Sequence, residues 1–137
     1  MQSGDLMQLP VLFALLLAFT GCSIIETRPA EDVVASRAQN RVDALMAGDY
    51  EAAYAFTTPG YRTAESAARY GTRWSGVGMW RAAEVSKVNC NEAGNKCMVA
   101  IRVTFYARQF GEQTTSLREE WLLIGGNWYV YQDIGAV

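Results

Sequence analysis

At Gly76 to Gly78 the spacing of apolar residues changes, and that change restricts the fold more than any single residue does. Upstream, apolar side chains recur every three or four positions, the period that lines one face of a helix; downstream they alternate, the period of a strand. In 29–47, Val34, Ala38, Val42, Leu45 and Met46 share a stripe, Glu31 and Asp32 lie in the first turn, and Gly48 stops the helix. A shorter helical stretch follows over 49–56, ended by Thr57-Thr58-Pro59-Gly60, and Thr63 caps a third that runs to Trp74. Strands are predicted over 80–90, 97–108, 114–124 and 127–133, with Gly125-Gly126 as a tight turn between the last two. Helices first and an antiparallel meander second predict an α+β fold: N-terminal helices packed on a four-strand sheet.

Ahead of the helices, residues 9–19 form an apolar run that closes as Phe19-Thr20-Gly21-Cys22 before polar sequence. A short apolar segment ending in small residues marks a secretory signal. One that ends on a cysteine resembles the lipobox of bacterial lipoproteins. The resemblance implies that residues 1–21 are a signal peptide and that Cys22 becomes the acylated N-terminus, carrying a diacylglycerol and an amide-linked chain such as palmitate. At roughly 0.8 kcal/mol per buried CH₂, two or more chains hold a protein durably at a membrane. Residues 22–29 then form a short tether and 30–137 a single domain beside the membrane. Ser23 stands where an inner-membrane retention aspartate would, so the expected place is the outer membrane of the cell envelope, facing the periplasm. Two alternatives stay open: an uncleaved inner-membrane signal anchor, since 9–25 approaches the ~17–25 apolar residues of a spanning helix, and a cleaved, soluble secreted protein.

With Cys22 assigned to lipid, Cys90 and Cys97 remain, flanking Asn91-Glu92-Ala93-Gly94-Asn95-Lys96 between two strand candidates. Those turn-prone residues bring the strand ends opposite each other, and an exported compartment is oxidising, so the pair is expected to form a disulfide across a hairpin. The segment is not the tighter Cys-x-x-Cys of thiol oxidoreductases, and two thiols alone are an incomplete zinc set.

The chain has no histidine, which removes the commonest general base near neutral pH and the commonest metal ligand. Ser-His-Asp and Cys-His catalytic sets and histidine-based zinc sites are excluded, and no metal or cofactor is expected. With 12 basic and 14 acidic residues and no basic cluster, nothing draws the chain to nucleic acid. Carboxylates, tyrosines and arginines are left for any catalysis.

Ala47-Gly48-Asp49-Tyr50-Glu51-Ala52-Ala53-Tyr54 between the first two helices, with a meander ending Trp121-Leu122-Leu123-Ile124-Gly125-Gly126-Asn127-Trp128-Tyr129, resembles the nuclear transport factor 2-like (NTF2-like) superfamily over about residues 30–133. The resemblance implies a cone of helices packed into a strongly curved sheet, with an internal pocket. That superfamily hosts isomerases, dehydratases and many non-catalytic binding domains, so membership alone assigns no activity.

Strand register nominates the pocket residues. Cys97, Val99, Ile101, Val103, Phe105 and Ala107 form one apolar face of the second strand, facing the core. If Cys90 lies opposite Cys97, Val88 falls opposite Val99, Ser86 opposite Ile101 and Glu84 opposite Val103, pointing Glu84 inward. One bulge would reverse that assignment. A two-residue turn at Gly125-Gly126 sets Leu123 opposite Trp128, Trp121 opposite Val130 and Glu119 opposite Gln132. Leu117, Trp121, Leu123, Trp128 and Val130 then belong to the core, and Glu119 and Gln132 accompany them. The expected ligand pocket is thus Glu84, Glu119 and Gln132 among aromatic groups such as Tyr54 and Trp121. Pairing of the glutamates with Arg102 or Arg118 is the plainer alternative. Tyr50, Tyr54, Tyr61, Tyr70, Trp74 and Trp80 are expected in the core, and Tyr106, Tyr129 and Tyr131 on the outer sheet face.

The expected function is a non-enzymatic, membrane-anchored envelope accessory domain that binds a partner protein or a small hydrophobic ligand. The alternatives are an isomerase- or dehydratase-like enzyme with Glu84 or Glu119 as catalytic acid-base groups, and a homodimerisation module using the exposed sheet face.

Overall fold

The computed structural model describes residues 28–135, so Cys22, the expected signal peptide and most of the expected tether lie outside the described residues. Helix α1 (Ala30–Met46) carries Glu31 and Asp32 in its first turn and buries Val34, Ala38, Arg41, Val42 and Leu45. Each large aliphatic side chain on that face contributes roughly 1.5–3 kcal/mol by leaving water. Gly48, at φ 73°, takes the left-handed conformation that turns the chain out of α1. Helix α2 (Tyr50–Tyr54) follows, with Asp49 accepting a capping bond from the Ala52 amide at 3.0 Å.

Two helices, not one, fill the segment up to Trp74. Thr58 caps α3 (Pro59–Ala64), accepting from the Tyr61 amide at 3.2 Å, and Thr63 lies inside α3 instead of capping a later helix. Ser66 caps α4 (Ala67–Trp74). Thr-Pro reads as a turn, but it also starts helices, because proline's fixed φ suits the first helical position. A 3₁₀ turn over Ser75–Met79 leads into the sheet.

The sheet is an antiparallel meander in the order β1 (Trp80–Cys90), β2 (Lys96–Ala107), β3 (Gly111–Ile124), β4 (Asn127–Val130). Its concave side takes α1: Val34, Ala38 and Val42 pack with Val99, Ile101, Val103, Trp121, Trp128 and Val130. A second cluster, Leu45, Ala53, Tyr61, Tyr70 and Val77, lies among the helices. Gly125 and Gly126, at φ 57° and 81°, form the β3–β4 turn, which sets Leu123 opposite Trp128 and Trp121 opposite Val130. β4 ends at Val130 instead of 133, because its far edge is taken by the 56–58 segment (Val130 N donates to Phe56 O, 2.9 Å) and Arg73 holds the Asp133 carbonyl at 3.0 Å. Leu123, beside the turn at the sheet's end, is 39% exposed and lies outside the core.

Cys90 and Cys97 stand opposite each other and are disulfide-bonded. Asn91 organises the intervening loop, its side-chain oxygen accepting from the Asn95 and Lys96 amides at 3.1 Å each. Closing so short a loop contributes about 2 to 2.5 kcal/mol. The double variant Cys90→Ser, Cys97→Ser should therefore fold with the same urea m-value and lose about that much stability, as measured by denaturant midpoint.

Candidate functional site

The two nominated glutamates have opposite fates, and one extra residue separates them. Val88 lies opposite Val99 as expected, but Ser86 is a β-bulge: Lys87 pairs with Ala100 and Val85 with Ile101. From Val85 back to Ala82 the strand is consequently shifted to the other face, up to a second irregularity at Arg81. Glu84 lies opposite Arg102, not Val103, exposed on the convex face and ion-paired with that arginine at 2.8 Å. Ala83 takes the inward position. The sequence carried a signal of this: Val85 and Val88, three apart, cannot share a face of a regular strand.

Glu119 does point inward, and it is 6% exposed. There it meets Arg41, fully buried on α1, whose Nη1 donates to Glu119 Oε1. The other carboxylate oxygen accepts from Trp121 Nε1 at 3.1 Å. Arg41 Nε donates to the Tyr70 hydroxyl at 3.1 Å, and the guanidinium lies 4.6 Å from the Trp74 ring centre. The result is a connected unit of one cation, one anion and three aromatic residues joining α1, α4 and β3, in which Arg41 Nη2 and Trp74 Nε1 are buried without a hydrogen-bond partner. Arg41 is not among the residues that strand register nominates, although it stands seven residues after Val34 and three after Ala38, on the buried stripe.

Glu119 and Gln132 do come together, with Arg73, Trp74, Arg118 and Tyr131, along a cleft of about 380 Å³. Trp121 touches this site only through its bond to Glu119, being fully buried against Phe56. Tyr54 belongs elsewhere: its hydroxyl donates to the carbonyls of Glu65 (2.6 Å) and Arg62 (3.1 Å), tying α2 to the end of α3. A second buried carboxylate, Glu65, pairs with Arg69 at 3.1 Å. A smaller apolar groove of about 230 Å³ lies between Met79, Trp80, Val103, Phe105, Thr115 and Leu117. Among the described residues no group of acidic or cysteine side chains could hold a metal, and no helix is long and apolar enough to cross a membrane.

No family profile and no characterised protein matches the sequence. Solved structures do match in shape. A SEC-C motif containing protein from Psychrobacter arcticus aligns with a TM-score of 0.60 at 15% identity, over 74% of this chain and 60% of that one. A SEC-C motif containing protein from Rhodopseudomonas palustris aligns at 0.53 and 16% identity, over 76% and 77%. A Campylobacter jejuni protein that bears the name NTF2-like transpeptidase aligns at 0.55 and 12% identity, over 72% of this chain and 96% of that one. The fold is NTF2-like. At these identities the likeness is one of fold alone, and this chain spans only 60% of the Psychrobacter protein.

Within that NTF2-like cone, a buried charge without its partner is costly, so cutting one side of the pair should cost about 3–5 kcal/mol. Arg41→Met and Glu119→Gln should each show that loss in urea unfolding. The double variant keeps an acceptor for Trp121 Nε1 and should recover most of it; additive losses would show that the two residues are not coupled.

Burial raises the Tyr70 hydroxyl to about 12, against the lowering influence of Arg41. An unfolded tyrosine titrates near 10, so the unfolded chain releases its proton first and stability falls as pH rises from about 10 through 12. Tyr70→Phe should flatten that alkaline limb by up to one proton, measured as the pH slope of unfolding free energy.

Proposed function

We propose that this chain is an exported, lipid-anchored domain of the cell envelope that binds a partner protein and does not transform a substrate. The observation that carries the reading is the state of Glu119. A general base must be free to take a proton from a substrate. Both Glu119 oxygens are engaged, by Arg41 and Trp121, and Glu84 sits in water beside Arg102. The 230 Å³ groove is smaller than the roughly 300–1,000 Å³ of small-molecule sites, and the larger cleft is lined by charged groups, so neither favours a small apolar ligand. Tyr106, Phe110, Tyr131 and Met98, by contrast, are large, exposed and of the types enriched where proteins meet. The lipobox-like Phe19-Thr20-Gly21-Cys22 supports the anchor, and the bonded cysteines suit an oxidising compartment.

The test uses the whole chain in a Gram-negative host. The mature protein should carry a diacylglyceryl Cys22 by mass and fractionate with membranes, and Cys22→Ser should release it; an unacylated N-terminus at Ser23 or earlier overturns the anchor. A photo-crosslinking side chain at Tyr106 or Tyr131 should capture one discrete envelope protein in cells. Absence of any adduct beyond the chain itself overturns partner binding.

A further inference from the structure

The sheet has two edges, and they are treated differently. Along β1, Gln39 of α1 acts as a substitute strand: its Oε1 accepts from Val85 N at 2.8 Å and its Nε2 donates to Ala83 O at 3.2 Å. Along β3, the short β4 covers only Trp121 to Ile124. Tyr131 N donates to Glu120 O on that side, whereas Leu123 N donates to Asn95 O on the opposite side, so even-numbered residues of β3 turn their backbone groups outward. β3 pairs with β2 without a bulge from Gly111 to Leu122, and the alternation therefore holds along its length. Among the described residues, the backbone groups of Thr114, Ser116 and Arg118 on this edge have no partner, and only the Glu112 carbonyl is used, by the Gln113 side chain. The stretch 112–118 holds no proline, no lysine and no bulge, the usual devices that blunt an edge.

We propose that this open edge pairs with the same edge of a second copy of the chain, antiparallel about a two-fold axis at Thr115. Outward groups on even residues require even positions to face even ones. With Thr115 on the axis, Thr114 faces Ser116 and Glu112 faces Arg118, each pair formed twice by symmetry. The two charged residues at the ends of the free stretch are of opposite sign and meet in this register. Neighbouring registers, centred on Thr114 or Ser116, leave that complementarity unmet. On the concave side Gln113 falls opposite Leu117, next to the apolar groove. The product is one continuous eight-stranded sheet with both helical layers on its concave faces.

This pairing is independent of the lipid anchor and of any envelope partner. The purified whole chain, in detergent where it fractionates with membranes, should weigh as a dimer by light scattering. Thr115→Cys should give a covalent dimer on mild oxidation, beyond that of the unsubstituted chain run alongside to account for Cys22. Thr114→Cys and Ser116→Cys should crosslink only when mixed with each other. Arg118→Glu should shift the chain to monomer, and adding Glu112→Arg should restore the dimer. Both positions are on the free edge, and unchanged circular dichroism checks that the fold persists. A monomer at every concentration overturns the proposal, as does equal crosslinking of Thr114→Cys alone and Thr115→Cys alone.

Discussion

A guanidinium at the centre of a helix's apolar stripe is tolerable only if a carboxylate arrives with it, and in this chain that requirement ties together segments far apart in sequence. Arg41 stands on α1 between Ala38 and Val42, fully buried, and its neutralising partner is Glu119 on β3. Leaving either charge alone in the interior costs several kcal/mol, a sizeable part of the roughly 5–15 kcal/mol that separates folded from unfolded states. A rotation of α1 or a one-residue slip of β3 would separate them. The pair therefore acts on specificity as much as on stability: it fixes which face of α1 meets which face of the sheet. Tyr70 and Trp74 extend the constraint to α4, through a hydrogen bond and a ring stacked on the guanidinium.

The same arrangement decides which surfaces are open to solvent. The cone's interior is occupied by its own aromatic residues, with Trp121, Tyr61 and Tyr70 nearly inaccessible to solvent. Besides the cleft beside Glu119, the far end of the β2–β3 hairpin stays reachable. There Met79, Tyr106 and Phe110 are exposed and β3 has a free edge. At the other edge, Gln39 supplies a donor and an acceptor to β1 from a helix that is already in place. One edge is closed from within the fold and the other is left to contacts from outside.

Much of this was legible in the sequence because it rests on period and spacing. The switch at Gly76 to Gly78, the inward face of β2 from Cys97 to Val103 and the Leu123–Trp128 register follow from alternation and from a two-residue turn. The paired cysteines follow from a short polar loop between strands. What was not legible depends on tertiary position. Thr58-Pro59 can end one helix or start another, and only packing of Tyr61 into the helical cluster selects the start. Arg41 looks like a solvated charge until its place on the stripe is counted. Leu123 has the pattern of a core residue but stands too near the sheet's end to be covered.

The Ser86 bulge has chemical consequences beyond register. In an unbroken β1, Glu84 would share the concave face with Glu119, giving two carboxylates in a low-dielectric interior with one arginine between them. Repulsion and desolvation would then hold one of them protonated near neutral pH, the arrangement from which carboxylate acid-base sites are made. With the bulge, Ala83 fills the inward position and Glu84 faces Arg102 in water, so Glu119 is matched by Arg41 with no second carboxylate from β1 beside it. That interior is neutral and fully hydrogen-bonded at Glu119, suited to holding α1 and α4 against the sheet. A one-residue insertion in an edge strand thus keeps a second carboxylate out of the interior beside Glu119.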